Sequence, residues 1–148
     1  MKRIAARRGF TLVEMLVVIS IIAVLVYTIL PTAVSATGRA KAAADAANLR
    51  SVLAEADILL LSDCTNEQLL EELGRNVPKS KSFPGATMQI VNSFPAFISI
   101  YYVDGTNYYS LDYFAKVAAG ADPATLSSAI PTGDGYETDK WLTLGGAG

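Results

Sequence analysis

Residues 10–30 read FTLVEMLVVISIIAVLVYTIL, an apolar run whose only polar members are Thr11, Glu14, Ser20, Tyr27 and Thr28. A helix rises about 1.5 Å per residue, so roughly 20 such residues cross a hydrocarbon layer of about 30 Å. The run has membrane-spanning length, and it sets the fold. The rest of the chain must be built onto one long helix whose first half is apolar on every side. Residues 1–9 carry Lys2, Arg3, Arg7 and Arg8 with no acidic residue. Such a basic cluster stays on the cytoplasmic side, which predicts an N-in, C-out orientation in the membrane.

The remainder has room for one modest domain, since the chain is 148 residues long and 51% hydrophobic. Beyond residue 9 it holds eight basic against fourteen acidic side chains, a net charge of −6. An acidic body lacks the cations that neutralise phosphate backbones, so no direct nucleic-acid binding is expected. Cys64 is the only cysteine and histidine is absent. This excludes an intrachain disulfide, a Cys/His zinc site and any histidine-based triad. No catalytic residue, resident metal or other cofactor is expected, and Cys64 reads as a small buried apolar side chain.

Glu14 is the informative residue of the apolar run. An unpaired carboxylate there costs on the order of 2–3 kcal/mol in lipid, so it either reaches the interface or finds a cation. Cutting the chain between Gly9 and Phe10 would create an α-amine close to Glu14, in the same chain or in a neighbour. The cut would also remove the four basic residues that hold the helix in the bilayer. Residues 7–19, Arg-Arg-Gly-Phe-Thr-Leu-Val-Glu-Met-Leu-Val-Val-Ile, resemble the processing signature of type IV prepilins and pseudopilins.

The resemblance implies cleavage after Gly9 by a prepilin peptidase and N-methylation of Phe10. It also implies assembly into a helical filament, with Glu14 of one copy paired to the Phe10 amine of the next. The precursor would be a single-pass protein of the cytoplasmic membrane, and the mature chain part of an extracellular filament. Partners implied are further copies, minor pilins and the pilus assembly machinery. A pilus subunit for adhesion, motility or DNA uptake comes first, and a pseudopilin of type II secretion second. The lone cysteine cannot close the C-terminal disulfide loop of many Gram-negative pilins, which weighs toward the second, a disulfide-free pilin or a Gram-positive source. A reading of another class is a binding domain released after Ala36, with Val34-Ser35-Ala36 as a secretory cleavage site. Secretory signals have apolar cores of roughly 7–15 residues, shorter than this one.

Pro31 closes the run; it lacks an amide hydrogen and crowds the carbonyl four residues back, predicting a kink or a locally meltable segment from Pro31 to Gly38. Helical spacing then resumes. Leu49, Val52, Leu53, Ala56, Leu59 and Leu60 form one apolar stripe, with Arg50, Glu55 and Asp57 outside it. Ala40, Ala43, Ala44 and Ala47 permit close approach of a neighbouring helix. The expected organisation is a leader (1–9), a transmembrane and filament-core helix (10–31), an amphipathic continuation (32–61) and a globular α+β head (62–148).

Within the head, Thr65 and Gln68 read as a capping box opening a helix over Glu67–Leu73. Thr87–Val91 reads as a strand. Phe97–Val103 and Thr106–Tyr113 read as a hairpin around Asp104-Gly105, which pairs Ile100 with Tyr109 and Ile98 with Leu111. Ile98, Ile100, Tyr109 and Leu111 then face the amphipathic helix, and Tyr101 and Tyr108 face away. Aromatic residues at 101, 102, 108, 109 and 113 suit sheet packing, and no Lys or Arg accompanies them as in a base-stacking groove. Asp122-Pro123 reads as a helix start running toward Ile130. The last segment reads mostly as loop. Asp134, Glu137 and Asp139 are weighed as calcium ligands, but their spacing does not reproduce an EF-hand.

Overall fold

A computed structural model of the chain describes residues 10–144. The expected leader, residues 1–9, and the tail beyond Leu144 lie outside the described residues. In chain order the elements are α1 (Leu12–Leu61), α2 (Asn66–Gly74), β1 (Thr87–Ser93), β2 (Phe97–Asp104), β3 (Asn107–Ser110), α3 (Leu111–Ala118) and β4 (Trp141–Leu144). Short 3₁₀ turns occupy Pro123–Thr125 and Thr138–Lys140. The fold is α+β, and the chain divides into two compact units at Thr37/Gly38.

The unit up to Thr37 is helix from Leu12 onward, with Pro31 inside the helix. Ser20, Thr28, Ser35 and Thr37 donate their hydroxyls to carbonyls three or four residues back, at 2.7–3.0 Å. This hides polar hydrogens that would otherwise be orphaned in an apolar medium.

The head, from Gly38, packs the second half of α1 on a four-stranded antiparallel sheet of order β3-β2-β1-β4. Ala42, Ala46, Leu49, Val52, Ala56 and Leu60 recur every three or four residues and are all buried. They meet Met88, Ile90, Ile100, Tyr102 and Leu144 from the inner sheet face, closed by Leu69 and Leu73 of α2 and Phe114 of α3. Fully burying a side chain of the size of Val or Leu contributes roughly 1.5–3 kcal/mol, so the stripe and the residues it meets together stabilise the head. The expected stripe is present, extended two turns toward the N-terminus by Ala42 and Ala46. Ala43 and Ala47 stay exposed on the other side of α1. A second cluster, Val91, Tyr101 and Val103, lies on the outer sheet face under Phe97, Tyr108, Tyr136 and Trp141.

Four expectations for the head are corrected. The hairpin pairs Tyr102 with Tyr109 and Tyr101 with Ser110, two residues away from the expected register. Gly105 has φ +61 and is the first central residue of the turn, with Asp104 paired to Asn107. Glycine at that position is the requirement of a type II′ turn, whereas the expected register assumed type I′. A slip of two conserves faces, so Tyr109 still points inward and Tyr108 outward.

The second strand stops at Ser110, whose hydroxyl accepts the Tyr113 amide at 3.2 Å and caps α3. Tyr113 and Phe114 face the core and Asp112 and Lys116 face water, a helical period that overrides the β preference of the tyrosines. The helix expected after Asp122 is only the turn Pro123–Thr125. Leu126 is already extended there, so no ladder of i to i+4 bonds begins. The C-terminal segment, expected as loop, contains β4, which pairs Leu142 with Ile90 and Leu144 with Met88. α2 and its capping box agree with expectation, Thr65 and Gln68 exchanging bonds of 2.9 and 3.3 Å.

The loop before β4 is clamped onto the sheet by a glycine. Gly135 has φ +89, its carbonyl accepts the Ser93 hydroxyl, and a Cβ there would lie 2.6 Å from the Phe97 ring. A positive φ costs a side-chain-bearing residue roughly 1–2 kcal/mol, and the ring clash adds to it. Gly135→Ala is therefore expected to lower unfolding free energy by about 2–3 kcal/mol, read as an earlier urea midpoint at unchanged slope.

Two tyrosines tie the stability of the head to alkaline pH. Burial pushes the Tyr102 hydroxyl up to about 12, and burial together with the Tyr136 hydroxyl raises Tyr101 as well. The unfolded chain releases these protons near the ordinary tyrosine value of about 10, before the folded chain does. Their stabilising contribution is complete below that pH and is lost as pH rises through the folded values. Urea midpoints should hold level up to about pH 10 and fall above it, and Tyr102→Phe should flatten the fall.

Candidate processing and assembly site

α1 begins with a reciprocal pair of bonds between Thr11 and Glu14. The Glu14 amide donates to Thr11 Oγ1 at 3.2 Å, while the Thr11 amide and hydroxyl donate to Glu14 Oε2 at 2.8 and 3.0 Å. This is a capping box, which satisfies amide donors that the first helical turn would leave orphaned. Its signal, Thr-x-x-Glu ahead of an apolar run, is present in the sequence. Reading Glu14 only as a charge in need of a cation missed it. Both Thr11 bonds fall on Oε2; Oε1 has no hydrogen-bond partner among the described residues.

Phe10, directly before the capping box, is 78% exposed. Gly9, on the other side of the expected scissile bond, lies outside the described residues. Every large apolar side chain from Phe10 to Leu30 is at least 45% exposed. Covering that surface takes lipid or another apolar partner, because water cannot. At Gly38 the space around an added Cβ is open. No neighbour there demands a glycine, so its remaining physical effect is to lower helix propensity.

A buried carboxylate that the sequence did not disclose anchors the head to α1. Asp45 is fully buried on the inner face of the helix. It accepts the Ser80 hydroxyl at 2.9 Å, the Lys81 amide at 2.6 Å and the Ser82 amide at 2.8 Å. Alongside, the Tyr102 hydroxyl donates to the Pro78 carbonyl at 2.8 Å. Together these bonds fasten residues 80–82 to Asp45 of α1 and Pro78 to β2. The partners of Asp45 lie 35–37 residues away, so no local pattern announces them.

The weighed calcium ligands do not converge. Glu137 Oε1 accepts the Gly135 amide at 3.2 Å, and the backbone amides of Glu137 itself and of Gly135 hold the carboxyl below the usual range. Asp139 lies 3.9 Å from the Lys140 ammonium. Among the described residues no three carboxylate or thiol groups stand close enough to share a metal ion. Cys64 is half-buried against the main core.

Residues 4–26 match the sequence family described as the prokaryotic N-terminal methylation motif. The match takes in Gly9, Phe10, Thr11 and Glu14 and most of the exposed apolar run. No curated protein and no solved structure matches the chain as a whole.

Proposed function

We propose, from the match of residues 4–26 to the prokaryotic N-terminal methylation motif, that this chain is a structural subunit of a pilus-like filament of the type IV pilin and pseudopilin kind. A prepilin peptidase cleaves after Gly9 and the new N-terminus at Phe10 is methylated. Helices Phe10–Leu30 leave the bilayer and bundle with one another, and the heads form the outer shell. Glu14 Oε1 meets the methylated amine of the adjacent copy while Oε2 stays in the capping box. The segment from Pro31 to Gly38 supplies the place where the helix yields during packing.

One observation carries this reading: a continuous, exposed apolar helix surface, Phe10 to Leu30, begins inside the methylation motif and runs past its end. A surface of this length must be buried to be stable, and lipid before assembly and sister helices after it both meet that need. A fibre for adhesion, motility or DNA uptake is the first form of the proposal. The absence of a second cysteine supports a secretion pseudopilin as the other.

The test is the N-terminus of the mature chain. Sequencing and intact-mass measurement should find N-methylphenylalanine at position 10. A mature chain starting at Thr37 would have lost the apolar helix and would overturn the proposal.

A further inference from the structure

The head begins with a cleft of about 300 Å³ whose walls include Lys41, Ala42, Phe83, Tyr113, Phe114 and Val117. Gly38 also lines it. The volume stands at the lower end of the roughly 300–1,000 Å³ of small-molecule pockets, room for part of a chain molecule. Its walls are chiefly aromatic and aliphatic.

The surroundings of the cleft are cationic. Arg39 lies against Gly120, where a Cβ would come within 3.3 Å of the guanidinium carbon. The Lys81 backbone is bound to Asp45, one helical turn beyond Lys41. Among the described residues Arg39, Lys41 and Lys81 make no ion pair, while Lys116 answers Asp112 at 2.6 Å. Carboxylates nearby are engaged: Asp45 is buried under three donors, and Asp122 caps the Ala124 amide at 3.0 Å. Along the chain, Gly38 follows Leu30, the last residue of the membrane-length run, by only eight residues. Arg39, Lys41 and the start of the cleft thus follow the lipid-spanning segment within a few helical turns of sequence, and Lys81 joins them through its backbone bond to Asp45.

We infer that this cleft, with Arg39, Lys41 and Lys81, is a docking site for an anionic phospholipid of the membrane's outer surface. The cations take the phosphate, and the apolar walls take the adjoining part of an acyl chain. Such a contact holds the base of the head on the bilayer while the subunit waits there. The inference rests on the chain being held in a membrane through Phe10–Leu30; it does not depend on filament assembly.

The experiment places the full-length chain in nanodiscs of equal phosphatidylglycerol and phosphatidylcholine and counts the lipids retained on release by native mass spectrometry. A cation beside an anionic surface is worth roughly a factor of five, so three would favour the anionic lipid about a hundredfold if all engage it. Retention of phosphatidylglycerol over phosphatidylcholine by tenfold or more is expected. Arg39→Gln/Lys41→Gln/Lys81→Gln should bring the ratio near one, and Arg50→Gln, outside the cluster, should leave it unchanged. Val117→Trp, which fills the cleft, should lower the number of lipids retained; the three-site variant, altering only the cationic side chains, tests the site even if Val117→Trp fails to fold.

Equal retention of the two lipids by the unaltered chain would overturn the inference, as would an equal loss of preference in Arg50→Gln. So would hydrogen-exchange protection of residues 113–117 that rises with copies per disc whatever the lipid, because a second copy would then be the occupant. A chain that does not enter nanodiscs at all would remove the membrane reading as well, whereas insertion without lipid preference removes this inference alone.

Discussion

Glu14→Gln is expected to leave the leader cleaved and the head folded, yet to reduce assembled filaments at least tenfold. The glutamine side chain keeps a carbonyl oxygen in the place of Oε2, so it can still accept the Thr11 amide and complete the capping box. What it loses is the charge. If capping were the function of Glu14, glutamine would serve and filaments would appear in normal number. Thr11→Ala is the converse change: it removes the cap, at a cost of about 1 kcal/mol to the first turn, and keeps the carboxylate. Filaments should survive it, counted by electron microscopy or recovered by shearing. The two substitutions separate a helix-starting role from a counter-charge role. Normal assembly by Glu14→Gln would refute the pairing of Glu14 with a neighbouring amine.

Asp45→Ala should cause the largest loss of stability in the head, about 3–5 kcal/mol. Its carboxylate receives three hydrogen bonds within 2.6–2.9 Å in a site without solvent. Bonds to a charged group contribute roughly 1.5–3 kcal/mol each, and removing the acceptor also leaves the Ser80 hydroxyl and two loop amides without partners. The contributions do not add fully, because the freed loop can turn toward water. Against a typical total of about 5–15 kcal/mol, such a loss leaves a substantial unfolded fraction on mild heating. Asp45→Asn should cost less, since one oxygen remains to accept the Lys81 amide. Urea titration of the full chain in detergent, followed by tryptophan fluorescence, measures both. Equal midpoints for Asp45→Ala and the unaltered chain would show that Asp45 does not anchor the loop.

The parts of the fold that were legible in the sequence are those encoded by short-range periodicity. Residues 10–30 are long and apolar enough to settle the membrane-length helix, and the spacing of Leu49, Val52, Ala56 and Leu60 identifies the face on which the head packs. Sheet faces were also legible, since alternation by two survives the hairpin's slip from Ile100 to Tyr102 as partner of Tyr109. Other features depend on contacts distant in sequence. β4 is four residues long and is a strand because β1 offers it an edge. Ser110 ends β3 by capping a helix, although the tyrosines on both sides favour a strand. Asp45 looks like one more polar residue in an alanine-rich helix until residues 80–82 fold over it. At the candidate site Gly9, Phe10 and Glu14 were readable from the motif, and the Thr11 to Glu14 bond was encoded in it as well.

The exposed helix face from Phe10 to Leu30 also dictates where subunits can be stored. Sixteen large apolar side chains there lie open in a lone copy, and carrying each from lipid to water costs roughly 1.5–3 kcal/mol when fully exposed. Even heavily discounted for partial exposure, the sum leaves essentially no free subunit in aqueous solution. If the subunits assemble as proposed, growth would draw on a two-dimensional reservoir in the bilayer. A fibre of such subunits, severed outside the cell, would have no dissolved supply from which to mend its broken end.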